Sequence, residues 1–62
     1  MPTARVQKDG FLADVFMSRN SDGPIFHYIV QRSGATEVLF WGKEHSLKAA
    51  LERIRKYLDE AA

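Results

Sequence analysis

The sequence predicts an α+β fold in which a three-stranded antiparallel meander is followed by one amphipathic C-terminal helix packed on one face. Runs rich in β-branched and aromatic residues, bounded by turn-forming residues, fill the first part of the chain. An apolar stripe with helical spacing fills the last part. Because 62 residues are few for more than one domain, we expect a single two-layer domain over residues 1–62.

Turn signals divide the first part of the chain into extended segments. Asn20–Pro24 is the strongest turn, Ser33-Gly34 suits a tight hairpin, and Gly42 ends the last extended run. The strands are therefore expected over Phe11–Arg19, Ile25–Arg32 and Ala35–Trp41. Asp9-Gly10 is a further hairpin signal, so the pattern also allows a short extra N-terminal strand around Val6.

The helix at the end of the chain has the clearest pattern. Apolar residues spaced three and four apart share one helical face, and they are Leu47, Ala50, Leu51, Ile54, Leu58 and Ala61. Ser46 precedes this stripe and is predicted to be the N-cap, whose hydroxyl accepts a first-turn backbone N–H. One helix, about 10–12 Å thick, can cover one face of a three-stranded sheet that is roughly 14 Å wide.

Both faces of the predicted sheet carry many apolar side chains. Two-residue loops place on one face, the predicted aromatic face, Val15, Met17, Arg19, Phe26, Tyr28, Val30, Arg32, Glu37, Leu39 and Trp41. The predicted aliphatic face holds Leu12, Asp14, Phe16, Ser18, Ile25, His27, Ile29, Gln31, Thr36, Val38 and Phe40. We expect the helix to cover the aliphatic face because Ile25, Ile29 and Val38 match its Leu/Ile stripe. The alternative is a helix on the aromatic face.

An uncovered aromatic face would be an interaction surface. The candidate residues on it are Phe26, Tyr28, Leu39, Trp41, Val15, Met17, Arg19 and Arg32. Exposed apolar patches of several hundred Å² mark interaction sites, and Trp, Tyr and Arg are frequent at interface hot spots. A chain this short is marginally stable alone, and without cysteine it has no disulfides to stabilise it. We therefore expect a non-enzymatic interaction module that forms a homo-oligomer, such as a dimer, or binds a protein partner.

Few side chains could support catalysis or metal binding. Ser18, His27 and Asp14 share a predicted face, but Asp14 lies about 13 Å along the strand from Ser18, so no triad can form. Two histidines without cysteine do not supply a zinc site. No glycine-rich phosphate motif is present. The sequence therefore predicts no catalytic residues, no metal and no cofactor.

Nucleic-acid binding is the alternative function. Arg19 and Arg32 at the margins of the aromatic face could neutralise phosphates while the rings stack on bases. The order of three strands and a helix is similar in topology to plant AP2-type domains and phage-integrase arm-binding domains, which present a sheet to DNA. The net charge of +1 departs from the usual basic footprint.

The sequence also bears on location. The first residues lack the apolar core of a secretion signal, and no apolar run approaches the roughly 20 residues that span a bilayer. We therefore expect a cytoplasmic protein without a membrane partner.

Overall fold

The computed structural model describes residues 1–61, which form four strands followed by one helix. The strands are β1 (Ala4–Lys8), β2 (Phe11–Asn20), β3 (Gly23–Arg32) and β4 (Val38–Glu44), and the helix is α1 (Leu47–Ala61). The sheet is antiparallel throughout, in the order β1-β2-β3-β4. The predicted α+β meander with a C-terminal helix is confirmed, and the short leading segment is a fourth strand.

Two tight turns set the register of the first three strands. Asp9 and Gly10 have φ angles of 52° and 85°, the left-handed pair that a two-residue hairpin turn of the I′ type requires. In the second turn, the Asn20 side-chain oxygen accepts the backbone N–H of Asp22 at 2.8 Å. Since both loops contain two residues, β1, β2 and β3 pair without interruption.

The connection from β3 to β4 is longer than the expected two-residue loop. It runs over residues 33–37, and the strands then pair with Val30 opposite Phe40. This register has the opposite parity to the expected one, and an odd shift moves every side chain of a strand to the other face. Phe40 therefore shares a face with Tyr28, whereas Trp41 lies on the opposite face. The predicted faces of Phe40 and Trp41 were wrong for this reason, whereas Val38 and Leu39, on the other side of the register shift at Val30/Gln31, keep their predicted faces.

The helix covers the face that carries Tyr28, so the expectation that it covers the aliphatic face was wrong. The buried core consists of Phe11, Ala13, Val15, Tyr28, Val30, Ala50, Ile54 and Leu58. The opposite face contains Asp14, His27 and Gln31 among its apolar residues, and a helix there would remove these polar groups from water at a cost. The sheet residues that enter the core are all apolar apart from the hydroxyl of Tyr28. Val15 and Tyr28, expected on the exposed face, are therefore core residues.

Gly42 allows the ring of Tyr28 to lie across β4. The two residues are opposite each other in the β3–β4 register. A Cβ atom at Gly42 would lie 2.6 Å from the Tyr28 Cζ and closer still to its hydroxyl. Gly42 was expected to end the strand, but β4 continues to Glu44, and the glycine provides the space that the ring occupies.

The helix begins as the sequence predicts. The Ser46 hydroxyl accepts the backbone N–H of Ala49 at 3.1 Å, which confirms its N-cap role. In the predicted stripe, Ala50, Ile54 and Leu58 are buried, whereas Ala61 is exposed.

Ser46→Ala should lower the free energy of unfolding by about 1 kcal/mol, because the first-turn N–H of Ala49 loses its acceptor. Urea unfolding followed by circular dichroism measures this change. Ser46→Asn serves as the control, since asparagine also caps helices and should keep most of the stability.

Gly42→Ala should destabilise the protein by about 1–3 kcal/mol, because the new methyl group meets the buried Tyr28 ring. The same substitution should cost much less in a Tyr28→Leu background, where the ring is gone. Urea unfolding of the double-mutant cycle measures this coupling. Equal costs in the two backgrounds would show that the ring does not require the glycine.

Candidate interaction surface

The sheet face opposite the helix is not covered by any element of the described residues. We call it the uncovered face. By the strand registers, its apolar residues are Leu12, Phe16, Ile25, Ile29, Val38 and Trp41. Its polar and charged residues are Arg5, Gln7, Asp14, Ser18, His27, Gln31 and Lys43.

Three of the apolar side chains on the uncovered face are well exposed. Trp41 exposes 71% of its surface, Val38 40% and Phe16 38%. Leu12, Ile25 and Ile29 are partly buried by their neighbours. Because large apolar side chains that lie together in one surface are uncommon in monomeric proteins, this face is the strongest candidate for binding.

An open depression lies beside Trp41. Its walls are His27, Ile29, Val38 and Trp41, and its floor is the backbone of the β3–β4 pair at Tyr28 and Gly42. The Tyr28 ring lies on the helix side and Gly42 has no side chain, so backbone alone forms the floor next to the indole. The depression therefore suits an apolar side chain inserted from above.

Most of the polar side chains on the uncovered face already have partners within the chain. Arg5 Nε donates to Asp14 Oδ1 at 2.7 Å, and this hydrogen bond, with the charge of Asp14, raises the pKa of Arg5. Ser18 Oγ and His27 Nε2 share a hydrogen bond of 3.0 Å. Gln31 donates to the carbonyl of Thr36 at 3.0 Å. A partner can cover these groups at a lower cost than it could cover unpaired ones.

The structure separates the candidate residues that the sequence grouped together. Trp41 lies on the uncovered face, and Val15 and Tyr28 lie in the core. Phe26 and Leu39 are partly buried against that core.

The remaining candidates lie on the helix side of the sheet. Met17 is 48% exposed there, in the part of the β2–β3 hairpin where β2 is no longer buried, and Arg19 is exposed on the same side. The Arg32 guanidinium lies 5.2 Å from the centre of the Phe11 ring. The cations expected to flank the aromatic surface therefore do not surround Trp41.

Sequence reasoning placed Phe16, Ile29 and Val38 under the helix, although the structure leaves them on the uncovered face. Asp14 and His27, which alternate with these residues along the strands, were the signal that could have identified this face. Charged and polar groups at central strand positions indicate the side that water reaches.

The structure does not assemble a catalytic triad from Ser18, His27 and Asp14. The serine and histidine are hydrogen-bonded, but the Asp14 carboxylate is bound to Arg5. Within residues 1–61, no cluster of three or more His, Cys, Asp or Glu side chains could hold a metal ion. The described part of the chain also lacks a helix long and apolar enough to cross a membrane.

Comparisons with models of known protein families, with curated proteins and with solved structures found no match. The function of this chain is therefore inferred from its own surface.

Two substitutions test which face of the sheet is covered. Tyr28→Ala should lower the free energy of unfolding by about 3–5 kcal/mol, because it removes a buried aromatic side chain. Trp41→Ala should change it by no more than about 0.5 kcal/mol in the monomer, because the indole is mostly in water. Urea unfolding at low protein concentration measures both values. The reverse ranking would contradict the assignment of the faces.

Proposed function

We propose that this protein is a non-enzymatic interaction module whose uncovered face stacks on the same face of a second copy. The observation that carries the proposal is the set of exposed Phe16, Val38 and Trp41 side chains on a sheet face that no element of residues 1–61 covers. A second copy presents the same surface, so an isologous contact about a two-fold axis buries both faces at once.

The size of the face supports this proposal. The chain extends over 36 × 20 × 15 Å. One broad face therefore projects over roughly 700 Å², which is large enough for a standard interface, to which each partner contributes roughly 800 Å² of accessible surface. Stacked sheets lie about 10 Å apart, a separation that their interdigitated side chains fill. An indole that projects from one copy is long enough to reach the depression on the other.

The internal pairing of polar groups also supports stacking. Asp14 exposes only 15% of its side chain, and its charge is neutralised by Arg5. Burying such a pair in an interface costs less than burying a lone carboxylate. The polar residues thus set the orientation of the partner, and the apolar residues supply the attraction.

The charges favour a protein partner over nucleic acid. The cations of the uncovered face are Arg5 and Lys43, and Arg5 is already bound to Asp14. Nucleic-acid affinity depends on several phosphate contacts by free cations, which this face does not supply. The absence of cysteine suits a reducing compartment, and we place the protein in the cytoplasm as part of the same proposal.

Light scattering of Phe16→Glu tests the stack with a matched control at the next residue. Phe16 and Met17 are neighbours on β2, similarly exposed, and they point to opposite faces. We expect the unsubstituted protein to exceed the monomer mass, and Phe16→Glu to lower that mass because it places a carboxylate in the stacked face. Met17→Glu should leave it unchanged. A monomeric unsubstituted protein, or equal effects of the two variants, would rule out the stack.

A further inference from the structure

We propose a second, separate interface, in which the edge strand β4 pairs antiparallel with β4 of another copy, with Trp41 opposite Trp41. This contact uses the edge of the sheet, whereas the stack uses the uncovered face. The two interfaces can therefore form together or independently.

Of the two sheet edges, β4 offers the longer and less protected strand. It is last in the strand order, so one side of its backbone has no strand partner among residues 1–61. It contains seven residues against five in β1 and has no proline. The register shift lies at its beginning, opposite Val30 and Gln31, and leaves the rest of the strand regular. An edge with these properties is a template for another strand.

The position of the helix above β4 supports a specific register for the pairing of β4 with β4 of the second copy. Arg53 Nε lies 4.0 Å from the Glu44 carboxylate, near the end of the strand. The ring of Tyr57 stacks on Phe40, with centroids 4.6 Å apart and planes at 7°. The helix therefore runs antiparallel to β4, and Glu60 lies further on, towards the beginning of the strand.

Arg53 and Glu60 have opposite charges and lie on the same flank of the helix. This flank can therefore pair with the same flank of a second copy. Together with Phe40, Tyr57 and the exposed Lys56, these two residues line the groove between the helix and β4, so these charged side chains lie beside the open edge. They are about 10 Å apart along the helix axis, and the midpoint between them is next to Tyr57. Because Tyr57 stacks on Phe40, this midpoint is nearly level with Trp41. A two-fold axis at Trp41 therefore brings Arg53 of each copy opposite Glu60 of the other, while the exposed Lys56 side chains lie near the axis.

The spacing of the layers leaves room for this arrangement. The helix packs over β2, β3 and β4, which places its axis about one strand inside the edge. With strands about 4.8 Å apart, the two helices of a paired dimer would be roughly 14 Å apart. Helix backbones at this distance do not collide, and the long Arg53 and Glu60 side chains can bridge the gap.

Edge pairing would also join the two uncovered faces into one. The paired Trp41 side chains would lie at the centre of a continuous sheet, with Ile29 and Val38 of each copy beside them. The joined face would present twice the apolar surface to a further stacked pair. Both interfaces used together would give a closed assembly of four chains.

Single cysteines test the register directly, since the chain contains none. Residues opposite each other in an antiparallel pair have Cα atoms about 4.5–5.5 Å apart, within disulfide range. We therefore expect Trp41→Cys to form a covalent dimer under mild oxidation. Lys43→Cys should not, because its two copies would be roughly 14 Å apart. Stacked sheets, about 10 Å apart, are also too distant for a disulfide.

The same experiment in a Phe16→Glu background separates the two interfaces. Cross-linking of Trp41→Cys should persist there, because Phe16 is remote from the β4 edge. Persistence of this cross-link, with loss of the larger species in Phe16→Glu that keeps Trp41, would support both interfaces. Persistence with no change in the mass of Phe16→Glu would refute the stack alone. If Trp41→Cys forms no more covalent dimer than Lys43→Cys, the edge interface is overturned.

Charge exchange at the helix flank gives an independent measurement. Arg53→Glu and Glu60→Arg should each raise the dissociation constant of the edge dimer several-fold, because each places like charges opposite each other. The double variant should recover the original value, with circular dichroism confirming that all three variants are folded. A double variant as weak as the singles would contradict the proposed alignment.

Discussion

The packing of the Tyr28 ring across Gly42 is the contact on which the rest of the structure depends. The ring begins in β3, passes over β4 and lies 5.7 Å from the ring of Phe40, which in turn stacks on Tyr57 of the helix. Its hydroxyl interacts with Arg53 and is the main cause of the raised pKa of that guanidinium. One side chain thus connects two strands to the helix.

The choice of face follows from polar side chains more than from apolar ones. Both sides of the sheet offer enough aliphatic and aromatic surface to receive a helix. On the covered side, Ala13, Val15 and Val30 are fully buried. The other side contains Asp14 and His27, whose hydrogen bonds with Arg5 and Ser18 form at the surface. The cost of burying polar groups therefore decided between two faces of similar hydrophobicity.

The sequence predicted the elements better than their arrangement. Periodicity identified the helix and Ser46 as its cap, and the Asp9-Gly10 signal indicated the leading strand, because these features depend on nearby residues. The faces of β4 depend on the number of residues in the connection that precedes it. Turn propensity at Ser33-Gly34 did not reveal the longer loop, and the odd shift in register moved Phe40 and Trp41 to the opposite faces.

The members of the candidate interaction surface were also predicted only in part. Trp41 was expected to be exposed and is exposed, but its predicted neighbours Tyr28 and Val15 are in the core. Which residues lie together on an exposed surface depends on the pairing between distant segments, which residue type alone does not specify. Asp14 and His27 could have identified the uncovered face, since polar residues at central strand positions point towards water.

The β2–β3 hairpin extends past the part of the sheet where β2 is buried, and residues 16–22 are exposed. This segment holds its shape through its own ladder and the Asn20 turn, without support from the core. We therefore expect its backbone amides to open without global unfolding, and those beside Tyr28 to exchange through unfolding of the whole chain. We therefore expect two levels of cooperativity, a core that unfolds as one unit and a hairpin tip that opens separately. The tip can adjust its twist to a bound surface at little cost to the fold.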